Sequence, residues 1–123
     1  MTVDTRIVLS ASWIALMFTY LLGDVLRIFS GDFKAGEMNG VKATQWMWMA
    51  AAVIMLIPII MLLLSLILDY PANRWVNIIA AVGLFLFNLF GLPGYPSLYD
   101  KFLIVVGLAF NVVTILIVWN WVQ

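Results

Sequence analysis

Asp24 and Arg27 are the residues whose types and spacing carry the most chemistry in this chain. They lie within an apolar run from Ile7 to Phe29, one helical turn apart. Ionisable groups at membrane depth are expensive, so each marks a functional hypothesis. Two chemistries fit them. Asp24 either pairs with Arg27, or with Lys101 or Tyr99 arriving from the far end of the chain, or it works as a proton or cation relay. Trp13, Met17, Tyr20, Asp24 and Arg27 recur at alternating spacings of four and three, so they form one stripe that faces other helices. Asp24 sits near the Phe29 end of its run, at the edge of the hydrocarbon.

Neutral polar residues form two further stripes. Asn77, Ala81, Leu84, Asn88 and Gly91 share a helix face, and so do Gly107, Asn111, Thr114 and Val118. These faces are expected to meet. Small residues let backbones approach, and asparagine or threonine bonds across a membrane helix interface are worth about 0.6 to 2 kcal/mol. The alternative is a polar cavity for a small substrate, lined by Asn88, Asn111 and Thr114. Tyr20, Asp24, Arg27, Asn88, Tyr99 and Asn111 are therefore the candidate intramembrane polar site.

Other chemistries are excluded by composition. The chain has no histidine and no cysteine, which removes disulfides, thiolate metal sites, cysteine nucleophiles and histidine triads. Lysine plus arginine is 6 and aspartate plus glutamate is 6, a balance that supplies no basic surface for nucleic acid. No phosphate loop, His-Glu-x-x-His or Gly-x-Ser-x-Gly motif occurs. Asp32 and Glu37 stand in a glycine-rich stretch unlike an EF-hand, and Met47, Met49, Met55 and Met61 read as flexible packing. The chain is expected to be non-catalytic, with no cofactor and no bound metal.

The elements that must position these residues are transmembrane helices. With 66% apolar and 10% charged residues and a mean hydropathy of +1.13, the chain does not describe a water-soluble core with a polar coat. Four stretches reach the roughly 20 residues needed to cross a bilayer: about Ile7 to Phe29, Trp46 to Leu68, Trp75 to Leu92 and Tyr99 to Val122. Lipid offers no partners to the backbone, so each is a helix, and the fold expected is an all-α four-transmembrane-helix bundle forming one membrane domain over residues 1–123. Asp4 or Thr5 caps the first helix. Ser30 to Gly40 is the first loop, Asp69 to Arg74 with a helix-stopping Pro71 the second, and Gly91 to Pro96 the third. Pro58 should kink the second helix. Trp46, Trp48, Trp75, Trp119 and Trp121 sit at helix ends, where an indole prefers the headgroup level. Asn73 is read as the cap of the third helix, with Arg74 bridging Asp69 or holding a lipid phosphate. The first span lacks the marks of a cleaved signal peptide and reads as a retained anchor. Positive charges are too evenly split between the two sides to fix orientation.

Several segments, taken in order, resemble a family of small uncharacterised four-span prokaryotic membrane proteins, known as a domain of unknown function. They are Asp4-Thr5-Arg6 leading into Leu9 to Trp13, Tyr20 to Asp24, Ile57-Pro58 followed by Leu64 to Leu68, Asn73 to Ile79, and Ile117-Val118-Trp119 with Trp121. The resemblance spans nearly the whole chain. Many members carry a glutamate just before the Ile-Pro pair and another in the fourth span, where this chain has Leu56 and the apolar surroundings of Phe110. The resemblance implies the fold and a prokaryotic cytoplasmic membrane, and it transfers no catalytic residue. The expected role is a homo-oligomer or membrane-complex subunit in contact with lipids. The alternative is a small proton- or cation-coupled transporter or channel using Asp24, similar to the small multidrug exporters in size and span number alone: their deep glutamate is replaced here by the Ala15-Leu16-Met17 neighbourhood. A membrane enzyme acting on lipid or quinone suffers most from the missing histidines, cysteines and paired acids.

Overall fold

A computed structural model describes residues 4–38, 41–95 and 97–121. Its helices are α1 (Thr5–Ser30), α2 (Gln45–Ile67), α3 (Tyr70–Gly91) and α4 (Leu98–Trp119), with a short 3-10 turn over Leu92–Gly94. All four are long and apolar enough to cross a membrane. The shortest have 22 residues, which at about 1.5 Å each matches a hydrocarbon core of about 30 Å. Between α1 and α2 the chain forms a small hairpin in which β1 (Glu37–Met38) pairs antiparallel with β2 (Val41–Lys42). Asn39, Gly40, Pro96 and Val122 of the expected loops and fourth span lie outside the described residues.

Helix ends follow local chemistry. The Asp4 carboxylate accepts from the Arg6 backbone N–H at 2.8 Å and starts α1, and Gly31 ends it at φ 84°, a left-handed conformation that glycine adopts without strain. Thr44 caps α2 by accepting from the Met47 N–H at 3.2 Å. The start of α3 departs from expectation. Proline is tolerated in a first turn because the N–H it lacks would have no intrahelical partner. Pro71 therefore opens α3, the helix begins at Tyr70 instead of Trp75, and Asn73 is wholly buried in its first turns instead of capping it. The N-cap is Asp69, without a side-chain bond. Helix α2 runs through the buried Pro58 without interruption.

Helices α1 and α4 each pack closely on two others, α1 on α2 and α4, and α4 on α1 and α3, whereas α2 and α3 meet over a smaller area. The apolar centre comprises Trp13 and Leu16 of α1, Met61 of α2, and Ala81 and Leu84 of α3. Where α2 and α3 part, an apolar groove of about 520 Å³ opens between Ile54 and Ile57 on one side and Val76, Ile79, Gly83 and Phe87 on the other. Most large apolar side chains on the outer faces are exposed, as a lipid-facing surface requires.

Candidate intramembrane polar site

The six candidate residues separate into three groups. The first is a charged cluster near the α1–α4 end of the bundle. Arg27, in the last turns of α1, donates through Nη2 to Asp24 and through Nη1 to Asp100 Oδ1 at 2.5 Å. Its guanidinium lies over the Tyr95 ring at 5.6 Å from the centroid. Exposure is graded across the cluster: the side chain is 47% exposed at Asp24, 23% at Arg27 and 2% at Asp100. A bidentate cation between two carboxylates supplies each with a counter-charge, and Asp100 in the first turn of α4 also sits at the positive end of that helix.

Asp100 is the partner that sequence reasoning missed. Of the partners that the sequence offers Asp24, namely Arg27, Lys101 and Tyr99, the structure selects Arg27. A signal was present. The stripe of Gly107, Asn111, Thr114 and Val118, continued toward the start of the helix, passes through Ile104 and reaches Asp100, and all six are buried.

Tyr99 belongs to a second group outside the bundle. Its hydroxyl donates to Asp32 Oδ2 at 2.6 Å and stands 2.7 Å from the Ser30 hydroxyl, and Ser97 donates to the same Asp32 oxygen at 2.5 Å. This clasp ties the first loop to the start of α4. Donation from Ser97 and Tyr99 holds the Asp32 carboxyl below its ordinary value.

The third group is interhelical. Tyr20 of α1 accepts from Asn88 Nδ2 of α3 at 2.7 Å, and its ring rests on Gly107 of α4, where an added Cβ would lie 3.3 Å from Cε1. Asn111 is wholly buried beside them, and Thr114 shares a 2.7 Å bond with Ser12 of α1. The α3 and α4 stripes thus meet α1 as well as each other. Toward the opposite end, Asn77 Oδ1 accepts from Trp13 Nε1 at 2.7 Å and from Ser65 Oγ at 3.3 Å, while Asn77 Nδ2 donates to Asn73 Oδ1 at 2.6 Å. Asn73 Nδ2 donates in turn to the Ser65 carbonyl at 2.8 Å. This network joins α1, α2 and α3, and sequence reasoning placed Asn73 at a cap and Ser65 without a role.

Arg74 stands apart from all three groups. It makes no bridge to Asp69; Nε donates to the Val118 carbonyl at 2.9 Å and Nη2 to the Trp119 carbonyl at 3.3 Å, so a cation closes the carbonyl end of α4. The Trp75 and Trp119 rings each lie 5.6 Å from its guanidinium carbon. Among the described residues no cluster of acidic side chains could hold a metal ion.

Four membrane-length helices joined at polar contacts define a small membrane protein. The chain belongs to a family of unknown function, DUF6326, whose model matches residues 2–123. No curated protein and no solved structure is significantly similar to it.

Proposed function

We propose that this is a non-catalytic membrane protein that acts by assembly, as a homo-oligomer or as a subunit of a membrane complex, in a prokaryotic cytoplasmic membrane. The observation that carries the reading is how the polar side chains are spent: Arg27 on two carboxylates, the asparagines of α3 on Trp13, Ser65 and Tyr20, and Arg74 on the end of α4. Groups committed to one another hold helices and leave little to turn over a substrate. The apolar outer faces and the α2–α3 groove are surfaces that a neighbouring membrane chain would cover. Native mass spectrometry after mild solubilisation tests it. Discrete oligomers or a stoichiometric second chain are expected, and a bare monomer at every detergent and lipid condition would remove the reading.

One observation favours a second reading, a small proton- or cation-coupled transporter. Asp24 keeps its side chain half exposed while bonded to Arg27. Transport requires proton-coupled flux in proteoliposomes that Asp24→Asn abolishes with assembly intact. Equal flux in both forms, or none in either, eliminates a role for Asp24 in transport.

A further inference from the structure

The cations at the two ends of the bundle are placed differently. Where α1 starts and α4 finishes, Arg6 pairs with Asp4 and Arg74 donates to the carbonyls of α4. At the opposite end Arg27 holds Asp24 and Asp100, Asp32 accepts from Ser97 and Tyr99, and Lys42 stands opposite Glu37 across the hairpin. Lys34 and Lys101 are left over. Both are exposed, and neither forms an ion pair with any acid among the described residues.

The helices mark the depth at which this happens. Phe29, Trp46, Phe90 and Leu98 are each at least 80% exposed, more than any other large apolar residue among those described, and each lies within the last or first two residues of a different helix at this one end. Such a collar fits the boundary between hydrocarbon and headgroups. Lys101 lies three residues inside it, roughly 4.5 Å deeper along α4. Leu98 before it and Val105 after it, on the same row of the helix, are both exposed, so Lys101 stands on a face turned to lipid. A bare ammonium at that depth is disfavoured. Its four-carbon stem follows the apolar surface up to headgroup level, where the anion at hand is the lipid phosphate. The chain has no net charge, so a hold on an anionic lipid must come from local groups such as these.

We propose that Lys101, with Lys34 from the first loop, holds the phosphate of an anionic phospholipid at this end of the bundle. The Asp32 clasp ties the loop segment that carries Lys34 to the helix that carries Lys101. Two ammonium groups suit a lipid phosphate whose charge is unbalanced, whereas the cationic headgroup of a zwitterionic lipid competes with them for it. The depth of Lys101 favours a lipid over dissolved phosphate, which stays out of the hydrocarbon edge. The contact uses one chain, so it stands whether or not the protein assembles.

Native mass spectrometry of the purified protein in mild detergent, titrated separately with phosphatidylglycerol and phosphatidylcholine, tests it. Phosphatidylglycerol should be retained preferentially. Replacing both lysines, Lys34→Gln with Lys101→Gln, should remove that preference, at about fivefold in affinity for each lysine. Arg74→Gln should leave it unchanged, because that guanidinium is engaged on α4. Inorganic phosphate should not displace the lipid. Equal retention of the two lipids by the unmodified protein overturns the proposal, and so does a preference that survives in the double-lysine variant or disappears with Arg74→Gln. Displacement by inorganic phosphate would assign the lysines to a dissolved anion and would overturn the lipid contact as well.

Discussion

The two ends of the bundle are fastened by different forces. Where α1 meets the start of α4, the fastener is ionic: one guanidinium between two carboxylates, with Asp100 almost sealed and Asp24 half open. Where α2 turns into α3, the fastener is neutral: two asparagines, a serine and an indole whose donors and acceptors are matched among themselves and the backbone. Removing one ion from the first end leaves a charge in a dry place, whereas removing one amide from the second leaves dipoles. The ends should therefore fail by different amounts and respond differently to their environment.

Arg27→Met is the hardest blow to the comparison. It strands Asp100, and the expected loss is about 3–5 kcal/mol of unfolding free energy, read by denaturant titration in mixed micelles. The double variant Arg27→Met with Asp100→Leu should recover most of it, since an apolar replacement of a buried pair is often neutral. Failure of that rescue would mean that Arg27 does more than neutralise. Asn77→Leu should cost less, about 1–3 kcal/mol, because it leaves the Trp13 indole N–H and the Asn73 side-chain Oδ1 unpaired. An Asn77 loss equal to that of Arg27 would erase the distinction between the ends. Arg74→Ala should cost about 1 kcal/mol and speed amide exchange in the last turn of α4 with little effect elsewhere, because the cation there completes a helix terminus.

The exposed clasp at Asp32 gives the smallest effect and a pH dependence of known sign. Its carboxyl is held below the ordinary value by Ser97 and Tyr99, so the stabilisation is present at neutral pH and above the unfolded-state value. It is lost only as pH falls through the lower folded value. Carboxyl chemical shifts followed from pH 7 downward should place the Asp32 midpoint below the usual carboxylate near 3.9, and Ser97→Ala should move it back up.

Helix number, membrane length and the inward stripes of α3 and α4 were legible in the sequence, because hydropathy and a 3.6-residue period leave few alternatives in lipid. Two features were not. Pro71 reads equally as a stop and as a first-turn residue, and only the packing of Asn73 against Ser65 decides between them. Asp100 sits between a tyrosine and a lysine beside a proline-rich turn, where a carboxylate is usually solvated; its burial follows from Arg27, a residue far off in the sequence. Of the site, the Asp24–Arg27 pair was legible because it lies within one helical turn. The Tyr20–Asn88 bond and the Ser12–Thr114 bond depend on how separate helices register, which spacing along one helix does not encode.

The order of the chain gives the ionic fastener a consequence for biogenesis. Helix α1 leaves the ribosome first and carries Asp24 and Arg27 together, whereas Asp100 comes with the last helix. During the interval the first span enters lipid with its arginine already neutralised one turn away, which lowers the barrier to its insertion. Arrival of α4 then adds the buried carboxylate to a waiting cation, so the ionic fastener closes only when the fourth helix joins the first.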